Sequence, residues 1–214
     1  MPDALVLFAK APLPGRVKTR LSPLLSPEQA AEFHWACVCD TWEKIEQVPV
    51  QSRYFYSDNA WTNGHVPASP EQRALQRGAD LGDRMLSCFQ ELHARGHRRV
   101  LIIGSDSPTL PLAYIEQGLD ALERADAVIG PSEDGGYYAI GCRESYPQMF
   151  SGVPWSAGDT LQKTEAGLRA LGLRVHLLPA WYDVDTANDL RRLGMEASLP
   201  PHVGRWMAEH GSLL

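Results

Sequence analysis

With 214 residues, 44% hydrophobic and 21% charged, the chain has the make-up of a soluble globular protein and length enough for one large domain. A formal charge of −6 argues against general binding to nucleic acid or anionic membrane. No apolar stretch is long enough to cross a bilayer, and the N-terminus lacks a signal peptide's layout, so a cytoplasmic protein is expected. Cys37 and Cys39 stand two apart in a predicted helix, and neither they nor Cys88 and Cys142 form a paired C-x-x-C. Buried thiols in a reducing compartment are the reading.

Ala4 to Ala9 is a short apolar run that ends at a Pro/Gly cluster, which predicts a buried first strand. Lys10, Arg16, Lys18 and Arg20 follow almost without acids, against the negative background. Cations gathered where a parallel strand ends are placed to meet an anion, most simply the phosphates of a nucleotide. Pro12 and Pro14 remove backbone donors, and the Walker spacing is absent, so side chains would do the holding. Ser26, Pro27 and Gln29 then mark a helix start with a capping box. Ala30, Phe33, Cys37, Val38, Trp42 and Ile45 give that helix one apolar face.

A strand over Val50 to Tyr56 closes the unit, and Ser57 to Pro70 reads as an irregular excursion. Asp58 and Trp61 either touch a ligand there or belong to a packed surface loop. The stretch from Gln76 to Met85, with Gly78 and Gly82, leads into a helix reaching His93, and it either lies over a nucleobase or sugar or is a plain loop with a helix start. Arg99 to Gly104 is the clearest central strand, apolar throughout as a strand buried on both faces should be. Pro111 opens a helix through Leu122, and short strands are expected over Ala127 to Gly130 and Tyr137 to Gly141. A helix from about Asp159 to Leu171 leads to a strand over Leu173 to Leu178. Trp181 to Leu190 is a turn feeding a helix. Residues 1–199 form a single domain on this reading, and 200–214 an appended tail. Strands alternating with helices call for a three-layer α/β/α fold with a mostly parallel sheet.

Asp106 sits just past the end of a central strand, where open α/β sheets bind ligands. A carboxylate there can hold Mg²⁺, or it can make an Asx turn ahead of Pro111. Asp183 and Asp185 alternate in extended chain and can face one ion, although Asp185 is also suited to cap the next helix. Glu133 and Asp134, ahead of Gly135, Gly136 and Tyr137, can deprotonate an acceptor hydroxyl or form a hairpin turn. His34, His65, His93 and His97 have no metal-ligand spacing, and neither a nucleophile elbow nor a dinucleotide fingerprint is present.

Four motifs taken together carry a resemblance: Phe8-Ala-Lys-Ala-Pro-x-Pro-Gly-x-Val-Lys-Thr-Arg-Leu21, Gly104-Ser-Asp-Ser-Pro108, Gly130-Pro-x-x-Asp-Gly-Gly-Tyr-Tyr138 and Asp183-Val-Asp-Thr186. Gly78 to Gly82 and Trp155-Ser156 also fit. The chain resembles, from Leu5 to about Leu193, a bacterial family of nucleotide-diphospho-sugar transferases of the GT-A glycosyltransferase type, often encoded beside radical-SAM proteins and linked to arsenosugar biosynthesis. That family is similar in turn to the cofactor guanylyltransferases. The resemblance implies a GT-A fold, a Mg²⁺ (or Mn²⁺) site on Asp106 and Asp185 with Asp183 beside them, and nucleotide or phosphate contacts from Lys10, Arg16, Lys18, Arg20, Gln76 and Asp106. Asp134 or Glu133 is then the expected base, and Gly135, Gly136, Tyr137 and Trp155 the expected acceptor wall. The donor is expected to be a nucleotide sugar and the acceptor a small molecule. Nucleotidyl transfer from a nucleoside triphosphate is the alternative, and a non-catalytic nucleotide-sugar-binding protein the second. The chain departs from these relatives in having Ser-Asp-Ser where many glycosyltransferases have Asp-x-Asp, and in lacking the Gly-Gly-x-x-x-Arg loop.

Overall fold

The computed structural model describes residues 3–22, 24–61, 66–155 and 158–211. His65 and Ser156 lie outside them. Seven strands form one sheet, in the order β3-β2-β1-β4-β6-β5-β7. They are β1 (Asp3–Ala9), β2 (Ser52–Ser57), β3 (Arg73–Leu75), β4 (Arg99–Gly104), β5 (Ala127–Pro131), β6 (Tyr137–Cys142) and β7 (Val175–Leu177). β1 pairs parallel with β2 and β4, β2 with β3, and β5 with β7. β6 alone runs antiparallel, between β4 and β5. The expected mostly parallel α/β/α architecture is therefore the one observed.

The apolar central runs are explained by the layers on either side. Along β1, Leu5, Leu7 and Ala9 face one core with Leu101 and Ile103 of β4. Val38, Trp42 and Ile45 of α1 (Pro27–Gln47) and Ile115 and Leu119 of α3 (Leu112–Ala121) cover that side. Ala4, Val6 and Phe8 face the other way with Val100 and Ile102, under Phe89 and Leu92 of α2 (Leu81–Ala94) and Leu168 of α4 (Thr160–Ala170). The period-two alternation of side chains sends each strand's residues into two cores at once, which is why no polar residue interrupts these strands.

Ser26 caps α1 with the reciprocal Gln29 contact that its sequence predicts. Two more helices follow, α5 (Ala187–Gly194) and α6 (Pro201–His210). The stretch after Pro200, expected as a tail, is thus a docked helix. Val203, Trp206 and Met207 are buried beside Phe33 and Cys37 of α1 and Leu190 and Leu193 of α5. Asp40 of α1 accepts from the backbone N–H groups of His202 and Val203 and so caps α6 from a distance. Cys37, Cys39, Cys88 and Cys142 are buried and free. Among the described residues no helix is long and apolar enough to cross a membrane.

Because β1, β4 and β5 are parallel, their ends at Ala9, Gly104 and Pro131 share one edge of the sheet. The antiparallel β6 begins there, at Tyr137. Every loop singled out in the sequence leaves from this edge.

Candidate functional site

The loop after β1 is built by its own turn residues. Pro14 and Gly15 occupy the centre of a turn closed by Arg16 N–H donating to the Leu13 carbonyl at 3.0 Å. Gly15 has φ 74°, the left-handed position that a type II turn requires. Two side chains from elsewhere then fix the loop. His34 Nε2, on α1, donates to the Lys10 carbonyl at 3.0 Å, and Asp58 accepts from the Ala11 N–H at 2.7 Å. Asp58 thus serves the loop's backbone. Trp61 packs against Trp35 and Phe55, so the packed-loop reading of that segment holds among the described residues.

The four cations of the loop differ sharply. Lys10, Arg16 and Arg20 are exposed, whereas the Lys18 side chain is only 2% exposed. Lys18 is also the one non-glycine among the described residues with positive φ, at 47°, a conformation that costs about 1 kcal/mol or more. Its ammonium donates to the Val184 carbonyl at 2.8 Å and to Asp185 Oδ1 at 3.0 Å, and it pairs with Asp106 Oδ1. Burial pulls its pKa down, but the Asp106 and Asp185 carboxylates outweigh that and hold it above the ordinary lysine value. Loss of water likewise works against the charged Asp106, and Lys18 beside it holds that carboxyl below its ordinary value.

Asp106 and Asp185 are 79 residues apart and meet because the Val184 N–H donates to the Asp106 carbonyl at 2.8 Å. Asp185 is not used as a helix cap. Thr186 and Asp189 make that cap reciprocally, Thr186 N–H donating to Asp189 at 2.7 Å, which leaves the Asp185 carboxylate to Lys18 and, at 3.8 Å, to the exposed Arg20. Asp183 accepts from Ser107 Oγ. Burial, and then the neighbouring Asp106 charge, push its carboxyl up to about 7.

These groups line one cavity of about 900 Å³, within the size range of small-ligand sites. Lys10, Arg16, Lys18 and Arg20 line it together with Asp106, Asp134, Asp183 and Asp185. Gln76 lines the same space, its amide N–H groups donating to the carbonyls of Ala9 and Tyr56 at 3.2 and 3.0 Å. Both donors are committed, so Oε1 is the atom left to meet a ligand. Gly136, Tyr137 and Trp155 form the far wall. Trp155 reaches its place because Gly82 has no side chain: a Cβ there would lie 2.5 Å from the indole.

Two of the expected site residues are elsewhere. Glu133 is held by Arg192 of α5 at 2.6 and 3.2 Å, an ion pair that keeps its pKa below the ordinary value, and it does not line the cavity. Gly135 shapes the turn instead of facing a ligand. Its φ is 88°, and a Cβ would lie 2.1 Å from the Gly158 carbonyl oxygen, so only glycine lets this turn rest against the start of α4. Asp134 does line the cavity, with Oδ1 accepting from Ser132 Oγ at 2.6 Å and Gly136 N–H at 3.0 Å.

The cavity also takes in Arg84 of α2, which the sequence reading passed over although it lies inside the Gln76–Met85 stretch. Lys44 is a second omission. It donates to the carbonyls of Pro108 and Leu110 at 2.8 and 2.5 Å and so steadies the loop that carries Asp106. Its only sequence signal is a lysine in the last turn of α1.

The donor set suits a hard divalent ion: Asp106 and Asp185 offer carboxylate oxygens, and Mg²⁺ takes one or two of these with phosphate and water. A different trio, Asp40, Glu43 and His202, brings its ligand atoms close together, but there Asp40 is engaged as the cap of α6.

A family model described as "uncharacterized protein conserved in bacteria" (DUF2064) matches residues 50–157, half of the chain. The chain belongs to this family. No curated protein matches this DUF2064 chain. Among solved structures it is similar to a proposed nucleotide-diphospho-sugar transferase from Desulfovibrio desulfuricans G20, 31% identical, covering 100% of this chain and 97% of that one with a TM-score of 0.87. It is also similar to CMP:2-keto-3-deoxy-manno-octonic acid synthetase complexed with CTP, at 13% identity, 90% and 96% coverage and a TM-score of 0.56. Rv0371c from Mycobacterium tuberculosis H37Rv, in complex with manganese, is 15% identical over 90% and 98% of the two chains with a TM-score of 0.52. The last two speak for the fold alone.

Proposed function

We propose that the chain is a transferase using a nucleotide-activated donor, and that it moves a sugar from a nucleotide diphosphate sugar to the hydroxyl of a small acceptor. The observation that carries this reading is the cavity at the strand ends, which exposed cations of one loop line together with carboxylates of three others. The name of the D. desulfuricans relative points the same way.

On this reading Lys10, Arg16 and Arg20, with Arg84 beyond them, neutralise the diphosphate and stabilise it as it leaves. Gln76 Oε1 accepts from the nucleoside. Asp106 and Asp185 would hold Mg²⁺ or Mn²⁺, with Asp183 behind them. The bound ion would supply Lewis-acid neutralisation of the departing diphosphate. Tyr137, Gly136 and Trp155 orient the acceptor. Its oxygen bonds to the anomeric carbon, the bond to the diphosphate breaks, and the hydroxyl proton passes to the Asp134 carboxylate.

One observation favours a second reading. Asp134 Oδ1 already accepts two hydrogen bonds, so the lone pairs of that oxygen are engaged before any acceptor hydroxyl arrives. Nucleotidyl transfer from a triphosphate to a phosphorylated acceptor needs no such base.

A thermal-shift panel of nucleotide sugars and nucleoside triphosphates, with and without Mg²⁺, tests both. Saturating ligand should add a few kcal/mol of stability, about 3 at a hundred times Kd. Stabilisation by one nucleotide sugar, followed by release of nucleoside diphosphate, is the expected result. A triphosphate hit with pyrophosphate release would replace it with the second reading. A flat panel would overturn both.

A further inference from the structure

An ammonium group has three N–H donors, and the Lys18 ammonium has three acceptors around it: the Val184 carbonyl, Asp185 Oδ1 and Asp106 Oδ1. It is therefore fully satisfied, in a cavity where the other three cations of its own loop, Lys10, Arg16 and Arg20, are exposed. Asp106 and Asp185, in contrast, remain 46% and 34% exposed in their side chains. The two carboxylates that the proposed function assigns to a divalent ion thus already share a cation supplied by the chain.

A point charge held against one oxygen of each carboxylate competes with any second cation that would bridge them, through charge and through the oxygens themselves. We propose that Lys18 is a place-holder cation. It offsets one of the two negative charges of Asp106 and Asp185 while no metal is present, and it leaves that position as the divalent ion enters. The freed ammonium then takes the nucleotide's phosphate oxygens as its acceptors. The inference rests on the metal-bearing site described under the proposed function.

The exchange links two events. In the absence of nucleotide, a metal must displace a buried ammonium that has no other acceptor among the described residues, so it binds weakly. Once phosphates are present, Lys18 has somewhere to go, and metal and nucleotide strengthen each other's binding by the same factor. The left-handed backbone at Lys18 fits such a role, since a strained residue is held in place by what its side chain contacts.

The test is a calorimetric Mn²⁺ titration of the wild-type protein, Lys18→Met and Lys18→Arg, with no nucleotide present. Lys18→Met should bind Mn²⁺ about tenfold or more tightly than wild type, as removal of a competing occupant requires. Lys18→Arg, which keeps a cation in place, should bind no better than wild type. Adding Asp106→Asn to Lys18→Met should abolish the gain. Should the Met variant fail to fold, the wild-type protein itself decides: the ¹⁵Nζ ammonium resonance of Lys18, protected by its three acceptors, should be lost or shifted on adding Mg²⁺. Equal or weaker Mn²⁺ binding by a folded Lys18→Met, or a Lys18 resonance unmoved by Mg²⁺, overturns the proposal. Because no nucleotide is used, a flat nucleotide panel combined with a gain of Mn²⁺ affinity would sink the transferase reading and leave the exchange standing.

Discussion

Two acidic clusters flank α1 and its loop, and they are put to opposite uses. Asp40, Glu43 and His202 bring ligand atoms closer together than Asp106, Asp183 and Asp185 do. Yet Asp40 is buried against two backbone N–H groups of α6, and Glu43 meets His202 Nε2 at 2.8 Å on the surface. Its carboxylates are spent on a helix terminus. In the other cluster the only backbone group among the described residues that meets the ammonium is the Val184 carbonyl, an acceptor like the carboxylates, and all three side chains line a large cavity. Proximity of acids says little; what their oxygens already accept says whether they are available to a ligand.

The comparison can be broken by substitution, starting from the largest effect. Asp106→Asn should weaken Mg²⁺-dependent nucleotide binding or turnover about a hundredfold, in the range seen when one electrostatic contact in a site is removed. Circular dichroism should show an intact fold, because Lys18 keeps Asp185 and the Val184 carbonyl. Asp40→Ala should do the reverse. Losing the cap of α6 should lower stability by about 2 kcal/mol in denaturant titrations while leaving nucleotide affinity unchanged.

Asp183 sharpens the contrast through pH. Its folded pKa of about 7 lies above the unfolded carboxylate value, so the folded state holds the extra proton between the two. Its contribution is full below the unfolded pKa and is lost as pH rises through about 7. Asp183→Asn should therefore gain on wild type as pH goes from 5 to 8, by about 2–3 kcal/mol, in melting curves recorded without metal. A gain independent of pH would show that neither burial nor the Asp106 charge raises the Asp183 carboxyl. The smallest effect belongs to Glu43→Gln, which removes an exposed ion pair and should change stability by less than about 1 kcal/mol.

Much of the frame was legible before any coordinates. The strands at Ala4–Ala9 and Arg99–Gly104, the Ser26–Gln29 cap and the Pro14–Gly15 turn are each written in a few adjacent residues, and local sterics decide them. Most of the candidate residues lie around one cavity at one edge of the sheet, a placement that follows from the order of elements, which sets each parallel strand's exit. What each then did was not legible. Lys18 and Arg20 are two residues apart and alike in charge, yet one is buried against two carboxylates and the other is exposed. Glu133 and Asp134 are neighbours, yet Arg192, 59 residues beyond Glu133, takes it away from the cavity. Even α6, in a stretch that looked like a tail, was decided by the apolar surface of α1 waiting for Val203, Trp206 and Met207.

The division has a physical reason. Backbone preference and side-chain period act over a handful of residues, so the sequence by itself determined the elements, their buried faces and the edge to which the basic loop belongs. The assignment of each charge depends on which oxygen or ammonium stands within about 3 Å of it, and at that range the neighbour comes from a different strand's loop. Only the strand order β1-β4-β6-β5, which sets the loops after Ala9 and Gly104 beside the turn at Asp183–Asp185, could decide that Lys18 lies between Asp106 and Asp185.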